Sequence, residues 1–175
     1  MRARSLLRGV GFLAAMLLLD GCATQSEVQV VAPQPTGQVV QLRLEPCADR
    51  TGTTDRDLAT EATRLLSDRL RATPGIEVRD DAPLVLNCEV TQYRAGSALK
   101  RWVMPGWGAT VGQLAVMVSS AKDQSAVAII QGNAVVAAGG LYTVGAEDYI
   151  LASAADDVIA RLRDWAAGPD AAGKR

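Results

Sequence analysis

Apolar and polar residues alternate from Gln38 to Pro46. Val40, Leu42 and Leu44 point to one side and Gln41, Arg43 and Glu45 to the other, the two-residue period of a half-buried strand. The period then changes. Leu58, Ala62, Leu65, Leu66 and Leu70 recur at helical spacing, opposite Asp57, Glu61, Arg64, Asp68 and Arg71. This predicts an amphipathic helix packed on a sheet. Thr53-Thr54-Asp55, with Asp57 three residues after Thr54, supplies a capping-box-like start, and Pro74-Gly75 a stop. A short strand over 76–78 and a turn at Asp80-Asp81-Ala82-Pro83 follow. Leu84, Leu86, Cys88 and Val90 then alternate with Val85, Asn87, Glu89 and Thr91, which predicts a second clear strand running on to Tyr93. Residues 113–121 and 126–132 read as strands about a turn at Lys122-Asp123-Gln124-Ser125, the second continuing over 133–138 past an irregularity at Gly132. Last, Ile150, Leu151, Ala154, Ala155, Val158, Ile159, Leu162 and Trp165 return to helical spacing. Glu147 and Asp148 stand where a helix N-terminus favours negative charge, and Gly168-Pro169 closes the element.

This order predicts an α+β fold: a two-layer sandwich with a mainly antiparallel sheet of about five strands and two helices on one face. One domain over 38–166 and a frayed tail over 167–175 are expected.

Ahead of the domain, Arg2, Arg4 and Arg8 precede an uncharged run from Gly9 to Leu19, and small Gly21 precedes Cys22. The run has the length of a signal-peptide apolar region and falls short of the ~20 apolar residues that span a bilayer. The end of it resembles the lipobox of bacterial lipoproteins, although Asp20 stands where a small uncharged residue is usual. The resemblance implies diacylglycerol on the Cys22 thiol, cleavage just before it and acylation of the new amino terminus. Two or more acyl chains hold a protein stably to a membrane, at about 0.8 kcal/mol per buried methylene. Ala23 and Thr24 follow, without the Asp that favours inner-membrane retention in such lipoproteins, so the outer membrane, facing the periplasm, is the expected location. Residues 22–37, polar and with two prolines, read as the lipidated cysteine and a flexible tether.

Removing residues 1–21 of 175 leaves 154, the size of one domain. The leader holds three Arg and one Asp, so the remainder carries 15 basic and 18 acidic side chains. That slight negative charge, without a basic stripe, gives no reason to expect nucleic acid. Histidine is absent, which excludes Ser-His-Asp and Cys-His catalysis and His-based metal sites. Neither a cofactor nor a metal is expected. Cys47 and Cys88, an even pair in an oxidising compartment, favour a bridge. Closing that loop of about forty residues would stabilise by ~4 kcal/mol in the loop-entropy account. Two buried free thiols are the alternative.

Residues 95–112 break the pattern, with four glycines, a proline and two of the three tryptophans. Trp102, Pro105, Gly106, Trp107 and Gly108 are the candidate interaction surface, read as a glycine-permitted turn with the tryptophans over a sheet edge. The run lacks the G-K-[ST] ending of a phosphate loop and leads into a strand. Ser97-Ala98-Leu99-Lys100 matches S-x-x-K, but S-D-N and K-T-G are missing. No catalytic residue and no enzymatic activity are therefore expected. Asp156-Asp157 are helix neighbours that diverge. Residues 124–146 carry no charge; buried strands explain this, and a membrane-inserted hairpin of an oligomeric pore is the alternative.

From Leu99 onward the chain resembles a group of small Gram-negative lipoproteins that share a domain of unknown function. The resemblance rests on Arg101-Trp102 before Pro105-Gly106-Trp107-Gly108-Ala109, the strand pair, the Gly139-Gly140-Leu141 break and Ala155-Asp156-Asp157 in the final helix. It implies a fold similar to the amino-terminal domain of TolB and to the curli-secretion lipoproteins, and it brings no catalytic residues. The expected function is that of a lipid-anchored, non-enzymatic binding or envelope-assembly module. Its expected partners are the membrane, through Cys22, and an envelope protein; the alternative is a subunit of an oligomeric outer-membrane secretion or pore assembly.

Overall fold

The computed structural model describes residues 28–30, 39–104, 107–138 and 143–168. Cys22, Pro105, Gly106, Gly139, Gly140 and Leu141 lie outside the described residues. In chain order the elements are β1 (Val28–Val30), β2 (Val40–Leu44), β3 (Ala48–Asp49), α1 (Leu58–Ala72), β4 (Ile76–Val78) and β5 (Leu84–Arg94). They continue with α2 (Ala98–Val103), β6 (Thr110–Ser120), β7 (Ala126–Val136) and α3 (Ala146–Ala167).

One sheet runs in the order β1-β7-β6-β5-β2-β4, with β3 pairing β5 off this path. The long strands β5, β6 and β7 pair antiparallel, and β1 joins β7 antiparallel. On the other side β2 runs parallel to both β5 and β4, and β3 runs parallel to β5. The fold is α+β with two layers, as expected, and its long strands are antiparallel; among the described residues the sheet has seven strands, and the short ones on one side make it mixed. The parallel part follows from α1, which joins neighbouring β2 and β4; parallel neighbours need such a crossover. A third, short helix, α2, interrupts the glycine-rich run.

Helices α1 and α3 contact each other and cover one face of the sheet. Leu42, Leu86, Val116 and Ile130 from the strands meet Leu66, Leu70, Leu151 and Leu162 from the helices, all fully buried. Alternation in β5 and 3.6-residue spacing in α1 make this layer, as the sequence predicts. Asp57 itself is the N-cap of α1, its carboxylate accepting from the Thr60 N–H at 3.0 Å, which moves the cap three residues beyond Thr54. That bond holds the Asp57 carboxyl below its ordinary pKa.

Gly132 does not interrupt β7. A Cβ there would lie 2.4 Å from the Ala154 carbonyl, so the glycine lets α3 approach the strand. The irregularities fall instead between Val90 and Gln92 and between Val118 and Ser119. The first puts Tyr93 on the helix-covered face. There Arg56 donates to the Tyr93 hydroxyl at 2.7 Å and the Glu147 carbonyl at 2.8 Å, and pairs with Glu61 at 2.8 Å. Burial pushes the Tyr93 phenol pKa up against the opposing pull of Arg56. This network ties the starts of α1 and α3 to the end of β5.

Val28–Val30, read in the sequence as tether, is an edge strand on β7. Its antiparallel register, with Val28 opposite Ile130 and Val30 opposite Ala128, gives it a direction. β1 runs from the α2 end of the sheet toward the β6–β7 hairpin.

Candidate interaction surface

The sequence of α2 is ALKRWV, and the helix reverses the usual arrangement. Arg101 is its buried residue, at 1 % exposure, whereas Leu99 and Trp102 are 71 % and 73 % exposed. Leu99, Trp102 and Val103 fall at i, i+3 and i+4, one stripe on the solvent side. Met104 and Trp107 extend the exposed apolar surface just beyond the helix.

The arginine explains the reversal. Its guanidinium donates to the Gly108 carbonyl at 3.0 Å, the Thr110 hydroxyl at 2.7 Å and the Thr143 carbonyl at 2.7 Å. It thus joins α2, the start of β6 and the turn before α3, a task for a planar fork of donors. With Arg101 inward, helical geometry turns Leu99, Trp102 and Val103 outward.

Gly108 holds the returning loop. It has φ +79°, and a Cβ on it would lie 2.7 Å from the Lys100 Cβ. Its carbonyl also accepts from the Ser97 N–H at 2.8 Å. Gly108 thus lets the returning loop pack closely against α2. Ser97 is the N-cap of α2, its hydroxyl accepting from the Lys100 N–H at 3.4 Å. The Lys100 ammonium lies over the Trp107 ring, 5.6 Å from its centroid. The S-x-x-K residues thus occupy capping and ring-stacking positions.

Among the described residues, eight of the ten exposed large apolar ones cluster at this end: Leu99, Trp102, Val103, Met104, Trp107, Val135, Val144 and Tyr149. Val135 pairs with Val111 at the start of β6, and Val144 and Tyr149 flank the start of α3. The opposite end has the Lys122-Asp123 hairpin and the Arg79–Asp81 ion pair. Trp102 and Trp107 were legible in the sequence as an unusual pair, and the Leu99-Trp102-Val103 spacing would have identified the stripe. The inward turn of Arg101 had no sequence signal.

Cys47 and Cys88 are joined in a disulfide with Cα atoms 4.6 Å apart, both buried beneath α1. The Cys47 N–H donates to the Thr63 hydroxyl of α1 at 2.9 Å. A groove of about 530 Å³ elsewhere is lined by Arg43, Asn87, Met117, Ser119 and Gln124, among others. Among the described residues, no group of three or more His, Cys, Asp or Glu side chains could hold a metal ion, and no helix is long and apolar enough to cross a membrane.

Residues 48–140 match the model of a family described as a domain of unknown function, DUF4410. The chain belongs to the DUF4410 family. The matched stretch holds Cys88 of the disulfide, α1, α2 and the three long strands, so the exposed stripe and its arginine lie within the DUF4410 region. None of the curated proteins matches the chain. Among solved structures, the DUF4410 chain is similar to the PelC dodecamer from Paraburkholderia phytofirmans, with a TM-score of 0.53 at 17 % identity, over 82 % of this chain and 98 % of that one. It is also similar to XCC0632 from Xanthomonas campestris, of family DUF330 (TM-score 0.46, 18 % identity, 80 % and 91 % covered). A third is lipoprotein GNA1162 from Neisseria meningitidis (TM-score 0.45, 11 % identity, 70 % and 99 % covered). The PelC likeness is one of fold.

Proposed function

We propose that this DUF4410 protein is a lipid-anchored, periplasm-facing lipoprotein of the outer membrane that acts as a non-enzymatic binding or assembly module. The observation that carries the reading is α2, a helix that buries its arginine and presents Leu99, Trp102 and Val103 to solvent. A contiguous apolar patch of this kind marks an interaction surface. The leader and Cys22 supply the anchor, and the absence of histidine removes the commonest general base. Fractionation of the wild type and Cys22→Ser tests the reading. The wild type is expected in the outer-membrane fraction and the variant among soluble periplasmic proteins; equal solubility of the two overturns it.

A second reading, a subunit of an oligomeric outer-membrane assembly, is favoured by the PelC fold, since that protein is a dodecamer. Both β6 and β7 pair on either side within the sheet and pack against α3. Self-association would therefore use exposed surfaces of the folded domain and would not extract that hairpin. Native mass spectrometry of detergent-solubilised protein tests it: a ring of defined stoichiometry is expected, and a monomer removes the reading.

A further inference from the structure

We infer that the α2 end of the sheet faces the bilayer, and that Leu99, Trp102, Val103, Met104 and Trp107 enter the lipid interface. The inference deepens the proposed function and rests on its reading that Cys22 is lipidated.

Direction comes first. β1 pairs antiparallel with β7, so its Val28 side opens toward Val136, the end where Thr110 starts β6 and Arg101 holds α2. The chain that leads back to Cys22 leaves β1 at that end. Distance comes second. Cys22 is six residues before Val28, and a chain spans at most about 3.6 Å per residue, so its sulfur stays within roughly 22 Å of Val28. Val136 is also six residues from Ile130, the partner of Val28, a strand length of about 20 Å. The leash therefore matches the distance to the α2 end, and lipid on Cys22 keeps that end close to the headgroups.

The chemistry of that end fits a lipid surface. Tryptophan favours the boundary between headgroups and acyl chains, where its ring is apolar and its N–H remains wet. Two tryptophans stand there with Leu, Val and Met, beside the cationic side chains of Lys100 and Arg94. The opposite end carries the charged turns at Arg79–Asp81 and Lys122-Asp123. The acyl chains on Cys22 hold the protein to the bilayer; the stripe adds a contact at a fixed place on the domain. It also orients the domain, which an anchor on a leash cannot do alone.

The test uses full-length protein purified from membranes, with Cys22 acylation established by mass spectrometry. The protein is placed in phosphatidylethanolamine–phosphatidylglycerol vesicles, with and without phosphatidylcholine brominated along its acyl chains. Tryptophan emission is then read against bromolipid and aqueous acrylamide. The expected result is a blue-shifted emission, strong loss to bromolipid and little loss to acrylamide. The bromolipid effect should disappear in the Trp102→Phe, Trp107→Phe double variant, leaving buried Trp165. In that background Lys122→Trp should be quenched by acrylamide alone. Acylated Cys22 with Trp102 and Trp107 open to acrylamide overturns the inference and leaves the anchor reading intact. Protection from both quenchers means that protein covers the stripe, and also overturns it. Bromolipid quenching of the Lys122→Trp reporter overturns the orientation. A bare Cys22 thiol overturns the inference and the anchor reading together.

Discussion

Helices α1 and α2 treat the same residue types in opposite ways. α1 buries Leu58, Leu65, Leu66 and Leu70 and leaves Arg64, Asp68 and Arg71 to water. α2 buries Arg101 and leaves Leu99, Trp102 and Val103 to water. α1 can follow the usual rule because its 15 residues lie over β3, β4 and β5, where an apolar face gains stability from the core. The six residues of α2 make no such face and are held by the hydrogen bonds of one guanidinium. The difference teaches that residues under α1 maintain the fold, and that those on the outside of α2 are available for contact.

The comparison can be broken most forcefully under α1. Replacing Cys47 and Cys88 together by Ala should cost about 4 kcal/mol in denaturant unfolding, for a loop spanning 41 positions; a loss below about 1 kcal/mol would show that the bridge does not constrain the unfolded chain. Next, Leu66→Ala should cost about 3 kcal/mol by leaving a cavity at a fully buried site. Leu99→Ala should remain within about 0.5 kcal/mol, because its site is exposed. Equal losses at the two sites would erase the contrast between the helices.

Arg101→Lys sharpens the comparison at intermediate size. One ammonium cannot reproduce the fork that reaches Gly108, Thr110 and Thr143, and about 2 kcal/mol should be lost. Amide exchange should accelerate over 98–110 while α1 stays protected. Wild-type exchange over 98–110 in the variant would remove the arginine as organiser of α2.

The smallest effect concerns the cap of α1. The Asp57 carboxyl has a lowered folded pKa. Its contribution is therefore present above the ordinary carboxylate pKa and lost as pH falls through the lowered value. Asp57→Asn keeps a good cap, so the melting temperature at pH 7 should hardly change, and the decline on acidification should be shallower. An unchanged acid slope would mean that Asp57 is not part of that linkage. Asp81 and Asp123, also lowered by their partners Arg79 and Ser125, should retain the rest of the slope.

Much of the fold was legible because its elements obey one period over many residues. α1, β5 and α3 each do so, and their observed bounds fall close to the expected ones. Tyr93 was placed correctly at the end of β5, but the bulge that selects its face left no trace in the alternation. β1 was unreadable because two valines about a glutamine in a polar, proline-containing stretch look like tether until an edge on β7 is available. α2 was hidden by the glycines and proline around it, which signal turn and do not reveal six helical residues between them. The tryptophans could be singled out, but not which residues would be turned outward with them.

By itself the sequence determined the two-layer body, the pairing partners available to the cysteines and the chemistry that a chain without histidine cannot perform. These properties depend on composition and on local periodicity, which each segment carries along its own length. Tertiary structure decided the parallel pairing of β2, β3 and β4, the direction of β1 and the inward turn of Arg101. Each depends on a hydrogen-bonding group supplied by a distant part of the chain: strand edges for β1 and β2, and the Thr143 carbonyl for Arg101. No local pattern encodes where such a group will be once the chain has folded.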